Sequence, residues 1–271
     1  MKRVYLMIAF MLLIGTGWQV VRAQDDQGID PEALIDRILS VDRKQRSEVH
    51  DVTFDAEYIE GDRNDNGELK QKVRFLKKIF VKYEDDTALF KEKYLTYYKN
   101  GELQSEDKLE KEAASRQEKR ISRKAKDISY DMLKPFYPDE RVHYTIAYKG
   151  VANQQIEHYT CYHFRVEAKE EEEQYINGDY YIDAESFHLV EVDFSPAKLV
   201  RKAMFKMNEL RMTIMYGPTD DGYWFPRQFD IELSAKAMFL IGVSLSGTEY
   251  YRNPVVNSGL SDDLFKENSN D

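Results

Sequence analysis

Cysteine is nearly absent from this chain of 271 residues, in which Cys161 is the only one. A single cysteine excludes an intramolecular disulfide, so the stability of the fold has to come from a packed core. Cys161 lies in an alternating pattern typical of a strand, with no obvious base partner for its thiol. We therefore interpret Cys161 as a small packed residue and assign no chemistry to it.

The chain also lacks an apolar run long enough to cross a membrane. Its apolar run from Val4 to Ile14 has 11 residues, whereas a spanning helix needs roughly 20. This run follows the basic residues Lys2 and Arg3 and precedes a small-residue cleavage pattern that ends at Ala23. Residues 1–23 are therefore predicted to be a signal peptide, with a retained anchor as the alternative. The mature protein is expected to be exported, in a periplasm, with no stable membrane span.

Basic residues are too few to balance the acidic ones, since 39 Lys and Arg stand against 49 Asp and Glu. The predicted signal peptide holds three of the basic residues and no acid, so the mature chain keeps 36 basic and 49 acidic residues, a formal charge of −13. Such a surface repels phosphates, and no basic patch interleaved with aromatic residues compensates for the charge. Nucleic acid is therefore not an expected partner.

Glycine and proline are not concentrated in any linker, so residues 24–271 are interpreted as a single domain. Asp30 and Pro31 predict the start of an amphipathic helix that extends to about Arg43. Residues 105–131 predict a second, long helix with a sparse apolar stripe. This helical insertion is either a surface helix laid over an opening or a solvated connector.

Most of the remaining chain alternates between apolar and polar residues with period two, which predicts strands. About ten such segments are present, over residues 52–58, 73–83, 89–98, 142–148, 156–166, 175–183, 187–194, 204–216, 223–233 and 238–250. Most connections between them are too short for helical crossovers, so the sheet is predicted to be antiparallel, and a sheet this wide must curl. With two helices, the predicted fold class is α+β.

Patterns typical of catalytic and metal sites are missing as well. The segment around Asp62 matches the first half of a calcium loop, but Val73 stands where a closing glutamate is needed, so a polar turn is the preferred interpretation. The five histidines form no ligand set with metal spacing, and no GxSxG element is present. We expect no enzymatic activity, no cofactor and no metal; an enzyme with a degenerate site is the least favoured alternative.

Three segments carry a resemblance to a known family. They are Tyr180 to Phe187, Gly222 to Pro226 and Val256 to Phe265. Together they resemble exported outer-membrane lipoprotein-sorting proteins, the LolA, LolB and RseB superfamily, over roughly residues 156–265. The resemblance implies an unclosed antiparallel half-barrel with covering helices that enclose an apolar cavity for acyl chains. Residues 85–140 match nothing in that family.

The leading functional hypothesis is a carrier or binding protein for a lipid or lipoprotein acyl chain. Methionine and aromatic residues are dense in the last third of the chain, and flexible methionines suit ligands without one fixed shape. Strand alternation selects the candidate cavity residues Leu210, Met212, Ile214, Tyr223, Phe225, Phe229, Ile231, Phe239, Ile241 and Val243. The alternative is an RseB-like envelope sensor that binds an envelope protein partner, with the 105–131 helix as its second surface.

Overall fold

The computed structural model describes residues 28–63, 69–84, 87–122, 131–202, 205–237 and 241–266. The predicted signal peptide and most of the polar turn after Asp62 lie outside the described residues. Within the described part, no helix is both long and apolar enough to cross a membrane.

The described residues form three α-helices and twelve strands, with short 3-10 helices at Lys134–Phe136 and Asp262–Leu264. The helices are α1 (Pro31–Glu48), α2 (Glu106–Ser122) and α3 (Pro138–Arg141). The strands are β1 (Asp51–Arg63), β2 (Leu69–Glu84), β3 (Thr87–Lys99), β4 (Glu102–Leu103), β5 (Tyr144–Val151), β6 (Cys161–Ala168), β7 (Ile176–Asp183), β8 (Leu189–Pro196), β9 (Arg201–Lys202), β10 (Phe205–Pro218), β11 (Trp224–Ala237) and β12 (Ile241–Val256).

All strands belong to one antiparallel sheet. Its order is β4-β3-β2-β1-β12-β11-β10-β8-β7-β6-β5, and β9 adds to β10. The terminal strands β4 and β5 do not pair with each other in the described part of the chain, so the sheet is an unclosed half-barrel with covering helices. The predicted fold class is confirmed. The strand count exceeds ten because two-residue strands such as β4 and β9 are too short to produce a visible alternation.

Helix α1 begins as predicted and extends past Arg43. The Asp30 side chain accepts a hydrogen bond from the Glu32 amide, and Pro31 occupies the first turn. The extra turn is held by tertiary contacts, because the Gln45 side chain exchanges two hydrogen bonds of 2.8 Å with the Trp224 backbone. Asn257 donates to the carbonyl of the last residue, Glu48. No residue near Gln45 carries a local signal of these distant partners.

Two predicted strands begin later in the structure than expected. Residues 156–160 form a tight turn, closed by a bridge between Ile156 and Tyr159 and with a positive φ of 55° at Glu157, so the strand predicted over 156–166 begins only at Cys161. Val142 precedes β5 and is 62% exposed. Of the helix predicted over 105–131, α2 covers Glu106–Ser122, and residues 123–130 lie outside the described part.

The C-terminal segment is fastened to the start of β1 by one buried carboxylate. Asp51 accepts hydrogen bonds from the Ser258 hydroxyl and from the amides of Ser258, Gly259 and Leu260, at 2.8 to 3.1 Å. Burial alone would raise the pKa of Asp51, but these hydrogen bonds hold that pKa below its ordinary value. The segment after Val256 is thus bound to β1 of the sheet through Asp51.

Candidate functional site

Helix α1 covers one face of the half-barrel, which we call the inner face. Four of its side chains are buried: Leu34, Ile35, Ile38 and Leu39. They join inward residues of β6 to β8 and β10 in the main core, together with Met132, Leu133 and Phe136 from the segment after α2. This half of the inner face is therefore filled by packed side chains.

Register defines the rest of the inner face, because directly paired residues point to the same side of a sheet. Starting in the core at Val192, one row of paired residues crosses six further strands. Its members in order are Val192, Ile214, Phe229, Glu249, Tyr58, Phe75 and Tyr97. The row is apolar as far as Phe229 on β11 and meets a charged residue, Glu249, on β12, after which it is aromatic; the inner face therefore has two chemically different halves.

A strip of half-buried apolar side chains lies between the main core and this change. We call it the apolar strip; its members on β10, β11 and β12 are Leu210, Ile214, Phe229, Ile231, Leu233 and Leu245. The first four pack against the main core. All six keep part of their surface accessible, which distinguishes them from the fully packed residues beneath α1.

The predicted cavity residues distribute over several environments. Leu210, Ile214, Phe229 and Ile231 belong to the apolar strip, whereas Met212 is buried in the main core. Phe225 and Tyr223 belong to a second core cluster with residues of β1 and β2. Phe239 lies outside the described residues. The backbones of Ile241 and Val243 pair with β11, and their side chains lie outside the described part.

A buried ion cluster occupies the inner face beside the strip. Lys77 on β2 is 6% exposed, and its ammonium pairs with Glu92 on β3 and, at 2.6 Å, with Glu249 on β12. Burial alone would lower the pKa of Lys77, but the two carboxylates hold that pKa above its ordinary value. We call Lys77, Glu92 and Glu249 the ion cluster.

Aromatic rings and a second cation complete this half of the inner face. The guanidinium of Arg116, from α2, lies 4.7 Å from the ring centre of Phe75 and 5.5 Å from that of Tyr58. It also pairs with Glu60 at 3.3 Å, and the Tyr58 hydroxyl donates to Glu60 at 2.8 Å. Tyr97 stacks on Phe75 with ring centres 4.7 Å apart. Arg116 thus links α2 to the sheet.

Sequence reasoning did not identify the ion cluster or Arg116. The signal was present in β2, because Lys77 stands between the inward residues Phe75 and Ile79 at a spacing of two. Alternation therefore predicts an inward lysine there. It does not identify the partners of that lysine, which lie on β3 and on β12, far away in the sequence.

The outer face carries a different cleft, of about 410 Å³, across β6 to β10. Its charged walls pair with each other: Arg165 with Asp179 at 2.7 Å, and Arg211 with Asp193. The charges of these side chains are therefore compensated across adjacent strands. The inner face, where apolar surface remains half exposed, is therefore the better candidate for a binding site.

Cys161 and His188, in the described part of the chain, are both packed against other residues. Within that part, no group of three His, Cys, Asp or Glu residues could hold a metal ion. Cys161 is buried, and burial raises the pKa of its thiol to about 12, which makes it a poor nucleophile. His188 stacks on Trp224 with ring centres 5.0 Å apart, and burial lowers its pKa.

No protein-family model matches the sequence, and no curated protein is similar to it in sequence. Solved structures with a similar chain course include a proposed outer membrane lipoprotein-sorting protein domain from Vibrio parahaemolyticus, with a TM-score of 0.43 and 10% identity over 86% of this chain and 97% of that chain. A DUF1329 family protein from Desulfovibrio piger has a TM-score of 0.45 and 14% identity over 88% and 98%. A LolA superfamily protein from Nitrosomonas europaea has a TM-score of 0.35 and 8% identity over 89% and 99%. The first and third are named for the family that the motifs of the late strands resemble. At these identities the likeness concerns the fold alone.

Proposed function

We propose that this protein is an exported, periplasmic, non-catalytic carrier or binding protein for a lipid or lipoprotein acyl chain. The observation that carries the proposal is the apolar strip: six apolar side chains, half-buried on the inner face between the packed core and the ion cluster. An acyl chain laid along this strip would cover surface that the protein leaves partly exposed.

The energetics of such a site do not require specific polar contacts. Each CH₂ group buried contributes about 0.8 kcal/mol, so one long chain gains several kcal/mol from burial alone. Side chains on three adjacent antiparallel strands form a continuous surface, because paired residues such as Leu210 and Leu233, or Leu233 and Leu245, point to the same side. The strip therefore suits a long, flexible, apolar ligand.

Native mass spectrometry with lipid extraction tests the proposal directly. The mature protein is purified from a periplasmic fraction, and its bound molecules are identified; we expect a copurified acylated molecule. Uptake of a fluorescent fatty acid by delipidated protein is measured in parallel. An empty protein that also takes up no fatty acid would overturn the proposal and favour the alternative of an RseB-like sensor that binds an envelope protein partner through α2.

Two neighbouring residues of β11 provide a matched pair of variants. Leu233 points to the inner face and Ser234 to the outer face, since Leu233 pairs with Leu210 and Ser234 pairs with Ser244. We expect Leu233→Gln to weaken fatty-acid binding roughly tenfold, by loss of apolar contact, and Ser234→Gln to leave it unchanged. Equal affinities for both variants would place the ligand elsewhere.

A further inference from the structure

We propose that the pocket around Arg116 is a receptor for a cationic headgroup, namely the ammonium of an amine-bearing acyl amphiphile, and that the chain fills it with its own guanidinium in the ligand-free state. The inference rests on the proposed function and specifies its ligand class. We call Tyr58, Glu60 and Phe75 the headgroup cage.

The cage has the chemistry of a cation receptor. Two aromatic rings lie within 4.7 and 5.5 Å of the Arg116 guanidinium, a distance at which ring faces attract a cation. Glu60 supplies a carboxylate that the Tyr58 hydroxyl orients by a hydrogen bond of 2.8 Å. The Arg116 side chain is itself 24% exposed, so the cage is reached from solvent. The chain's own cation identifies the kind of group that the cage accepts.

Charge at the site favours a cation once Arg116 leaves. Glu112, the other carboxylate that contacts Arg116, belongs to α2 and would move away with it. The fixed groups that remain on the sheet are Glu60 and the ion cluster. These are three carboxylates against one ammonium, a formal charge of −2, on side chains that are 6% to 22% exposed.

Arg116 is a removable occupant because α2 is lightly packed. None of the α2 side chains described, those of residues 106–117, is buried, whereas α1 buries four. Separation of this described part of α2 from the sheet therefore exposes little apolar surface. The cage itself stays in place, because its members lie on paired positions of β1 and β2.

The cage lies at the end of the apolar strip. Gly247 on β12 pairs with Ile231 of the strip, and a Cβ added at Gly247 would meet the Tyr58 hydroxyl at 3.0 Å and Ile231 at 3.2 Å. The Tyr58 ring therefore lies over Gly247, next to the strip. An amphiphile with its tail on the strip has its headgroup at Glu60, which joins the two sites into one.

Calorimetric titration with two single-chain probes of equal length tests this inference. Dodecylamine and dodecanoate are titrated below their critical micelle concentrations into the delipidated mature protein. We expect the amine to bind roughly tenfold more tightly than the carboxylate. Arg116→Gln should strengthen amine binding several-fold, because it removes the internal competitor. It should leave helix α2 intact. Glu60→Gln should abolish the preference and keep dodecanoate binding.

Glu57→Gln is the matched control, because Glu57 is a β1 glutamate on the outer face, paired with Arg74 and Arg252. It should change neither affinity. Equal affinity for both probes in the wild type and in Arg116→Gln would overturn the headgroup inference and leave the acyl-binding proposal standing. If neither probe binds, the proposed function fails and the inference fails with it.

Discussion

Lys77 lies between Phe75 and Ile79, which are both packed inward, so its ammonium is buried. In the described structure, the carboxylates of Glu92 and Glu249 compensate its charge. Breaking a buried pair by removing one partner leaves an uncompensated buried charge and costs about 3 to 5 kcal/mol. We expect Lys77→Met to lower the free energy of unfolding by an amount in that range, measured by urea denaturation.

The compensating variant separates charge from packing. Lys77→Met combined with Glu92→Gln and Glu249→Gln removes all three charges of the ion cluster, and neutral replacements of buried ion pairs are often tolerated. The triple variant should therefore recover much of the lost stability. A triple variant as unstable as Lys77→Met alone would show that the lysine acts through packing of its stem.

His188 gives the protein a pH-dependent stability near neutrality. Burial beside Trp224 lowers the pKa of His188, whereas Asp183 and Asp42 partly oppose that effect. Below the ordinary histidine pKa of about 6.5 the unfolded chain takes up a proton that the folded chain resists, so this contribution to stability is lost as the pH falls. The difference between the urea denaturation midpoints at pH 7.5 and pH 5.5 should be smaller in His188→Gln than in the wild type.

The control for this experiment is His158→Gln, on the exposed turn before β6. It should preserve the wild-type dependence on pH. Parallel dependences in the wild type and in His188→Gln would contradict the assignment of the effect to His188.

At the scale of elements, the sequence predicts the helices and strands whose signals lie within their own segments. The Asp30 cap and the apolar spacing predict α1, and period-two alternation predicts the long strands and the antiparallel sheet, because those signals lie within each segment. The same patterns do not separate the apolar strip from the core. Met212 is buried and Ile214 is half-buried although they face the same side two residues apart, so alternation assigns both to the inner face without telling which is covered.

The fastening of the C-terminal segment to β1 is an element contact that can be removed by one substitution. Asp51→Ala leaves the amides of Ser258, Gly259 and Leu260 without their acceptor, at a cost of roughly 2 kcal/mol or more. Hydrogen exchange of these amides should accelerate, and thermal unfolding should shift downward. Asp55→Ala changes another aspartate of β1 and removes an exposed pair with Lys78 of β2 and an exposed hydrogen bond from Asn253, so it should cost less than about 1 kcal/mol. Similar losses in both variants would contradict the special role of Asp51.

At the scale of the whole molecule, the two large helices have different functions in the fold. Helix α1 supplies four buried side chains to the main core, and Ile38 is fully buried. Truncation of Ile38 to alanine should therefore cost about 2 to 5 kcal/mol. None of the α2 side chains described is buried, and the half-buried pair between Arg116 and Glu60 is one of their contacts with the sheet.

Replacement of residues 106–122 by a Gly/Ser linker of the same length tests this division. Among the described residues, those that enter the main core after α2 begin at Met132, so the replacement leaves all the described side chains of the main core in place. We expect a folded protein whose melting temperature falls by less than about 4 °C, because the described contacts that are lost are only half-buried: the pair between Arg116 and Glu60, and the contacts of Arg116 with the rings of Tyr58 and Phe75. Fatty-acid uptake should persist, since all six residues of the apolar strip lie on β10, β11 and β12. If uptake is lost although the fold is kept, α2 itself covers the acyl chain. The binding site would then be an enclosure between sheet and helix, no longer a strip on the sheet alone.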